Sequence, residues 1–119
     1  MGPTAFGLPA QPVTNSNPLP VSTPGQYETV AAGQTAQVLG ASGAIGDYIA
    51  GLLVIPATTS PGTIAILDNA TSITVFTGGA DSVSNLVPFF IPLGMLSVSG
   101  AWKVTTGSNV SVVAVGKFS

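Results

Sequence analysis

The sequence predicts an all-β fold, an antiparallel β-sandwich, and three observations lead there. From Tyr27 onward, short stretches rich in Val, Ile, Thr and aromatic residues recur at intervals of about 8 to 12 residues. Clusters of Gly, Pro, Asn and Ser separate them, which is turn chemistry. No stretch combines a helical apolar period with end caps. Seven or eight strands within residues 28–119 are best housed as two sheets packed face to face, jelly-roll-like, with an immunoglobulin-like arrangement as the alternative.

Residues 1–27 stand apart as an expected extended N-terminal arm. Six prolines (Pro3, Pro9, Pro12, Pro18, Pro20 and Pro24) fall in this stretch and no charged residue does. Proline fixes φ and removes a donor, so the segment favours extended, polyproline-like backbone over helix or inner strand. Its scattered apolar positions, Phe6, Leu8, Pro9, Pro12, Val13, Leu19, Pro20 and Val21, are the candidate contacts with a partner surface.

Taken in order, the expected strands begin with Tyr27 to Ala31 and Gln34 to Leu39. Gly40 to Gly46 breaks regularity, and Asp47 to Ile55 follows as a strand apolar on both faces, stopped by Pro56. A turn at Thr59-Ser60-Pro61-Gly62 leads into Thr63 to Asp68, which is expected to reverse at Asn69-Ala70 into Ser72 to Phe76. Leu86 to Leu93 is apolar throughout. Pro88 and Pro92 cannot donate to a ladder, so that strand belongs at a sheet edge or where the chain crosses between sheets. Leu96 to Thr105 alternates, with Leu96, Val98, Gly100, Trp102 and Val104 on one side, and after Thr106-Gly107-Ser108-Asn109 the chain runs on as Val110 to Phe118. The pair reads as a hairpin with Trp102 in the core.

Charge excludes several functions. The whole inventory is Glu28, Asp47, Asp68, Asp81, Lys103 and Lys117, 5% of the chain against about 25% in an ordinary soluble domain. Two lysines would release only about two counterions where nucleic-acid binders release several times more, so no nucleic acid partner is expected. The longest apolar run, Tyr48 to Ala57, is about half of the ~20 residues of a membrane helix, and the start of the chain has no secretory pattern. No membrane partner is expected.

With no His and no Cys, thiolate chemistry, disulfides, the usual zinc sites and a histidine-activated serine are all absent. Asp47, Asp68 and Asp81 lie in separate segments without metal-ligand clustering, and four scattered carboxylates are weak material for glycosidase chemistry. Gly40, Gly43 and Gly46 lack the spacing and following helix of a dinucleotide loop. The expectation is a protein that is no enzyme, with no cofactor and no metal.

What remains is apolar surface. Tyr48 to Ile55, Leu86 to Leu93 and Val110 to Phe118 offer apolar side chains on both faces, whereas a two-layer sandwich buries one face of each sheet. The surplus implies a homo-oligomer, with Phe89, Phe90, Val113 and Val115 as candidate subunit-interface residues. A carbohydrate-binding module or lectin-like adhesin, using Tyr27, Tyr48 and Trp102 as a stacking platform, is the alternative from another functional class.

Three stretches carry a family likeness: Thr35-Ala-Gln-Val-Leu-Gly40, the run Gly46 to Ala57 with Thr58-Thr-Ser-Pro-Gly62 behind it, and Gly94 to Val104 with its Ser-Gly-Ala-Trp-Lys centre. In these the chain resembles the small head decoration, or cement, proteins of tailed bacteriophages. The resemblance spans about residues 28–119 and contains no catalytic motif. It implies a virion structural protein that binds the outside of the phage head, stabilises contacts between copies of the major capsid protein, and assembles as a trimer or, next, a dimer.

Overall fold

The computed structural model describes residues 26–119. Eight strands and no helix are present among them: β1 (Gln26–Val30), β2 (Gln37–Val38), β3 (Tyr48–Pro56), β4 (Ile64–Asp68), β5 (Thr71–Phe76), β6 (Phe89–Leu96), β7 (Trp102–Thr106) and β8 (Val110–Lys117). They form two four-stranded antiparallel sheets, ordered β1-β8-β3-β6 and β2-β7-β4-β5. The sandwich takes in Gln26 and Tyr27, two residues ahead of the expected end of the arm.

Alternation along each strand builds the core. Val110, Val112 and Ala114 of β8, Leu52 and Val54 of β3, and Val30 of β1 turn inward from one sheet; Trp102 and Val104 of β7 and Ile64 and Ile66 of β4 meet them from the other. Each large side chain removed from water contributes roughly 1.5 to 3 kcal/mol. Trp102 is only 2% exposed, and its indole Nε1 donates to the Asp47 carbonyl at 2.9 Å, so the one polar atom of the ring is satisfied inside.

The structure corrects the expected hairpin. β7 pairs with β2 and β4, β8 with β1 and β3, so Gly107 to Asn109 carries the chain from one sheet to the other. Both strands have a strongly apolar face, and packing those faces across the core buries both, whereas pairing edge to edge within one sheet would leave each needing a further layer. Close backbone approach holds the crossing in place: Gly62 N–H donates to the Ser108 carbonyl at 2.8 Å, and Gly33 N–H to the Gly107 carbonyl at 2.9 Å.

The expected strand from Leu96 to Thr105 is also divided. β6 ends at Leu96, Val98 is 76% exposed, and β7 starts at Trp102. A buried carboxylate shapes the loop between them, because Asp68 accepts the N–H groups of Val98 (2.9 Å), Ser99 (3.1 Å) and Gly100 (3.2 Å), and three donors drawn to one point cannot stay extended. Other bounds move: β2 is only Gln37–Val38 where Gln34 to Leu39 was expected, β3 runs through Pro56, which pairs with Val110 instead of stopping the strand, and β6 starts at Phe89, leaving Leu86 to Pro88 ahead of it. β4 reverses into β5 at Asn69-Ala70, with Asn69 at φ +58°, and β6, with Pro92 inside it, lies at a sheet edge.

Candidate functional site

The outer face of the β1-β8-β3-β6 sheet stands out from the rest of the surface. Antiparallel register lays its residues in rows across the strands: Thr29, Val113, Leu53 and Phe90 form one, and Tyr27, Val115, Gly51 and Pro92 the next. Lys117, Tyr48 and Leu96 complete a third row at one end. Val113, Val115 and Leu53 are half-buried, while Tyr27 (74%), Leu96 (62%), Phe90 (48%) and Tyr48 (40%) stand largely in solvent.

Local backbone sets this relief. β3 has a bulge between Ile49 and Gly51, which lets Ile49 point into the core while Gly51, Leu53 and Ile55 share the outer side. At Gly51 the missing side chain leaves room for the Phe90 ring, which lies across the backbone where a Cβ would strike it. Phe90 therefore covers its neighbouring strand and still presents about half its surface outward.

Of the four interface candidates, Phe90, Val113 and Val115 share this face. Phe89 does not. It turns inward against the core, its ring centroid 5.6 Å from that of Phe76. The arm candidates Phe6, Leu8, Pro9, Pro12, Val13, Leu19, Pro20 and Val21 lie outside the described residues. Tyr27, Leu53, Pro92 and Leu96 belong to the face as well, and parity with Phe90 or Val113 in a known register is the signal that finds them.

Electrostatically the face is almost blank. Lys117 at its corner is its one charge, and Glu28 on β1 turns to the rim, where its carboxylate accepts Gln37 Nε2 at 2.9 Å and Gly40 N–H at 2.7 Å. In projection the face measures about 19 Å by 26 Å, on the order of 500 Å², from ordinary strand spacing and rise. A standard interface buries about 800 Å² per partner, which is more than this face alone offers.

A groove of about 390 Å³ opens at the end of the face, lined by Gln26, Asp47, Tyr48, Leu96, Lys117 and Phe118 among others. The Asp47 carboxylate there is fully engaged, accepting Ala44 N–H (3.1 Å), Ser119 N–H (3.0 Å) and the Ser119 hydroxyl (2.6 Å). Burial pushes its carboxyl up, but the bonds from Ser119 and Ala44 outweigh that and hold it below its ordinary value. It acts as a clamp on the last residues of the sandwich. Trp102, being buried, cannot join Tyr27 and Tyr48 in a stacking platform.

The outer face of the other sheet differs in kind. Its rows are Val38, Lys103, Leu67 and Ser72, then Thr105, Ala65 and Thr74, mostly small and polar. No family model, no curated protein and no solved structure matches this chain.

Proposed function

We propose that this chain is a non-catalytic structural protein of a virion, a capsid decoration or cement protein that oligomerises and fastens neighbouring copies of the major capsid protein on the outside of a phage head. The observation that carries the proposal is the contiguous apolar outer face of the β1-β8-β3-β6 sheet, with four large apolar side chains at 40% exposure or more. Such a patch on a chain with so few charges is suited to a permanent, salt-insensitive contact. The nested strand order supports a jelly roll, an architecture that viral capsid and lectin domains share. Fold alone does not choose between those roles, and the nearly uncharged, projecting face favours assembly over sugar recognition. A closed homo-oligomer is the natural form, and the resemblance to head decoration proteins puts a trimer first and a dimer next.

The test compares the full chain with its Leu53→Asp and Phe90→Asp variants. Sedimentation of the native chain gives a trimer or dimer, and each variant gives a folded monomer that leaves purified phage heads undecorated. A native monomer at micromolar concentration with no affinity for heads refutes the proposal. The lectin-like reading survives only on the groove beside Tyr48 and Lys117. A glycan array on which the native chain binds and its Tyr48→Ala variant does not would favour it.

A further inference from the structure

Resting on that structural role, we propose that the outer face of the β1-β8-β3-β6 sheet is the seat of the proline-rich segment, residues 1–25, of a neighbouring copy of this chain. The chemistry of the two surfaces matches. Among the described residues every exposed aromatic side chain, Tyr27, Tyr48 and Phe90, projects from this one face. Flat aromatic rings without competing charge are what a polyproline segment docks on, since its stiff backbone has little freedom left to lose.

Leu8-Pro9-Ala10-Gln11-Pro12-Val13 puts two prolines three residues apart. In polyproline backbone that spacing is one turn, about 9 Å, which would set both rings on the same side. The spacing of alternate strands, between 9 and 10 Å by the usual ~4.8 Å separation, is the same. Residues 1–25 contain no charge, and the face has only Lys117, at a corner. Nothing on either surface selects a charged partner.

Position decides which copy supplies the segment. Gln26 opens β1, the outermost strand of this very sheet, at the end that carries Tyr48, Leu96 and Lys117. The axis of β1, extended beyond Gln26, points past that end and off the face. Pro18, Pro20 and Pro24 stiffen the exit. From Pro12 to Gln26 the extended reach is about 43 Å, more than the ~30 Å width of a small domain. A segment that leaves in this direction meets the face of the next subunit, and reciprocal exchange supplies the contact area that the sheet alone lacks.

Because the chain has no cysteine, one thiol can be placed at will. Thr29 is exposed on this face, so a full-length Thr29→Cys chain carrying a thiol-directed photo-cross-linker is mixed with isotopically heavy, unlabelled chains, irradiated and mapped by mass spectrometry. The expected product links the probe to residues 1–25 of a heavy chain. Links to the same light chain's segment, links to residues 48–56 or 89–96 of a second copy, or no links overturn the proposal. When Pro9→Ala and Pro12→Ala, changes that lie ahead of β1, are placed in the heavy chains, the link is lost; a persisting link also overturns it. Decoration of heads by the same labelled chain is scored separately. Decoration without the link sinks the exchanged segment and leaves the capsid role standing, and the link without decoration does the reverse.

Discussion

The two outer faces of this sandwich are built from one composition and yet are opposites. If the scarcity of charge alone made the surface greasy, both sheets would show it equally. Instead the β2-β7-β4-β5 sheet presents Lys103, Thr105, Ser72 and Thr74 among Val38, Leu67 and Ala65, while the β1-β8-β3-β6 sheet presents Val113, Val115, Leu53, Phe90, Tyr27 and Tyr48, with Thr29 and Lys117 at its margins. Each apolar residue on the second face alternates with a core residue of the same strand, so a single-residue slip would exchange them. The contrast teaches that the exposed aromatic surface gathers on one face, although Ile45, Ile73, Leu86, Val87 and Val98 stand exposed elsewhere.

The largest expected effect tests the core on which both faces rest. Trp102→Ala removes the biggest buried side chain and its bond to the Asp47 carbonyl, and should cost about 3 to 5 kcal/mol in denaturant unfolding, flattening any difference between the faces. Next, Phe90→Asp should raise the dissociation constant of the proposed oligomer by at least ~30-fold, the ~2 kcal/mol of an interface hot spot, and leave the unfolding midpoint of the monomer nearly unchanged. A loss of fold instead would mean that Phe90 serves its own sheet through Gly51 and no partner.

Asp47 sharpens the picture at the rim. Its carboxyl is depressed in the native state, so its contribution is complete above the ordinary carboxylate range and is lost as pH falls through its lowered native value. Asp47→Asn should cost about 1 to 3 kcal/mol at neutral pH and should weaken the acid dependence seen in equilibrium unfolding. The smallest effect belongs to the polar face: Thr74→Asp should shift stability and association by less than about 0.5 kcal/mol. A large effect there would erase the asymmetry between the two sheets.

Much of the fold was legible because strand chemistry is local. The Asn69-Ala70 reversal, the edge position of β6 and the burial of Trp102 follow from residues a few positions apart. Partner choice is not local, and that is why β7 and β8 read as a hairpin although they face each other across the core. The clamps of Asp47 and Asp68 join segments that nothing in the sequence brings together. At the candidate face, apolar residues on both sides of Phe89-Phe90 announced a surplus without saying which ring was which. The bulged register of β3 decides it, sending Phe89 in and Phe90 out.

An edge strand of the apolar sheet, β1, finds its hydrogen-bonding partner among the described residues only in β8, with Gln26 opposite Gly116 and Val30 opposite Val112. During synthesis on a ribosome, β1 emerges early and must wait until nearly the whole chain has been made before it can be zipped in. Among the ladders of the described residues only β4 with β5 joins close neighbours along the chain, so that turn is the natural first event and closure is slow, in the millisecond-to-second range of such β topologies. Throughout that wait the nascent chain holds its stickiest strands open, and crowding many ribosomes on one message would invite premature association between siblings.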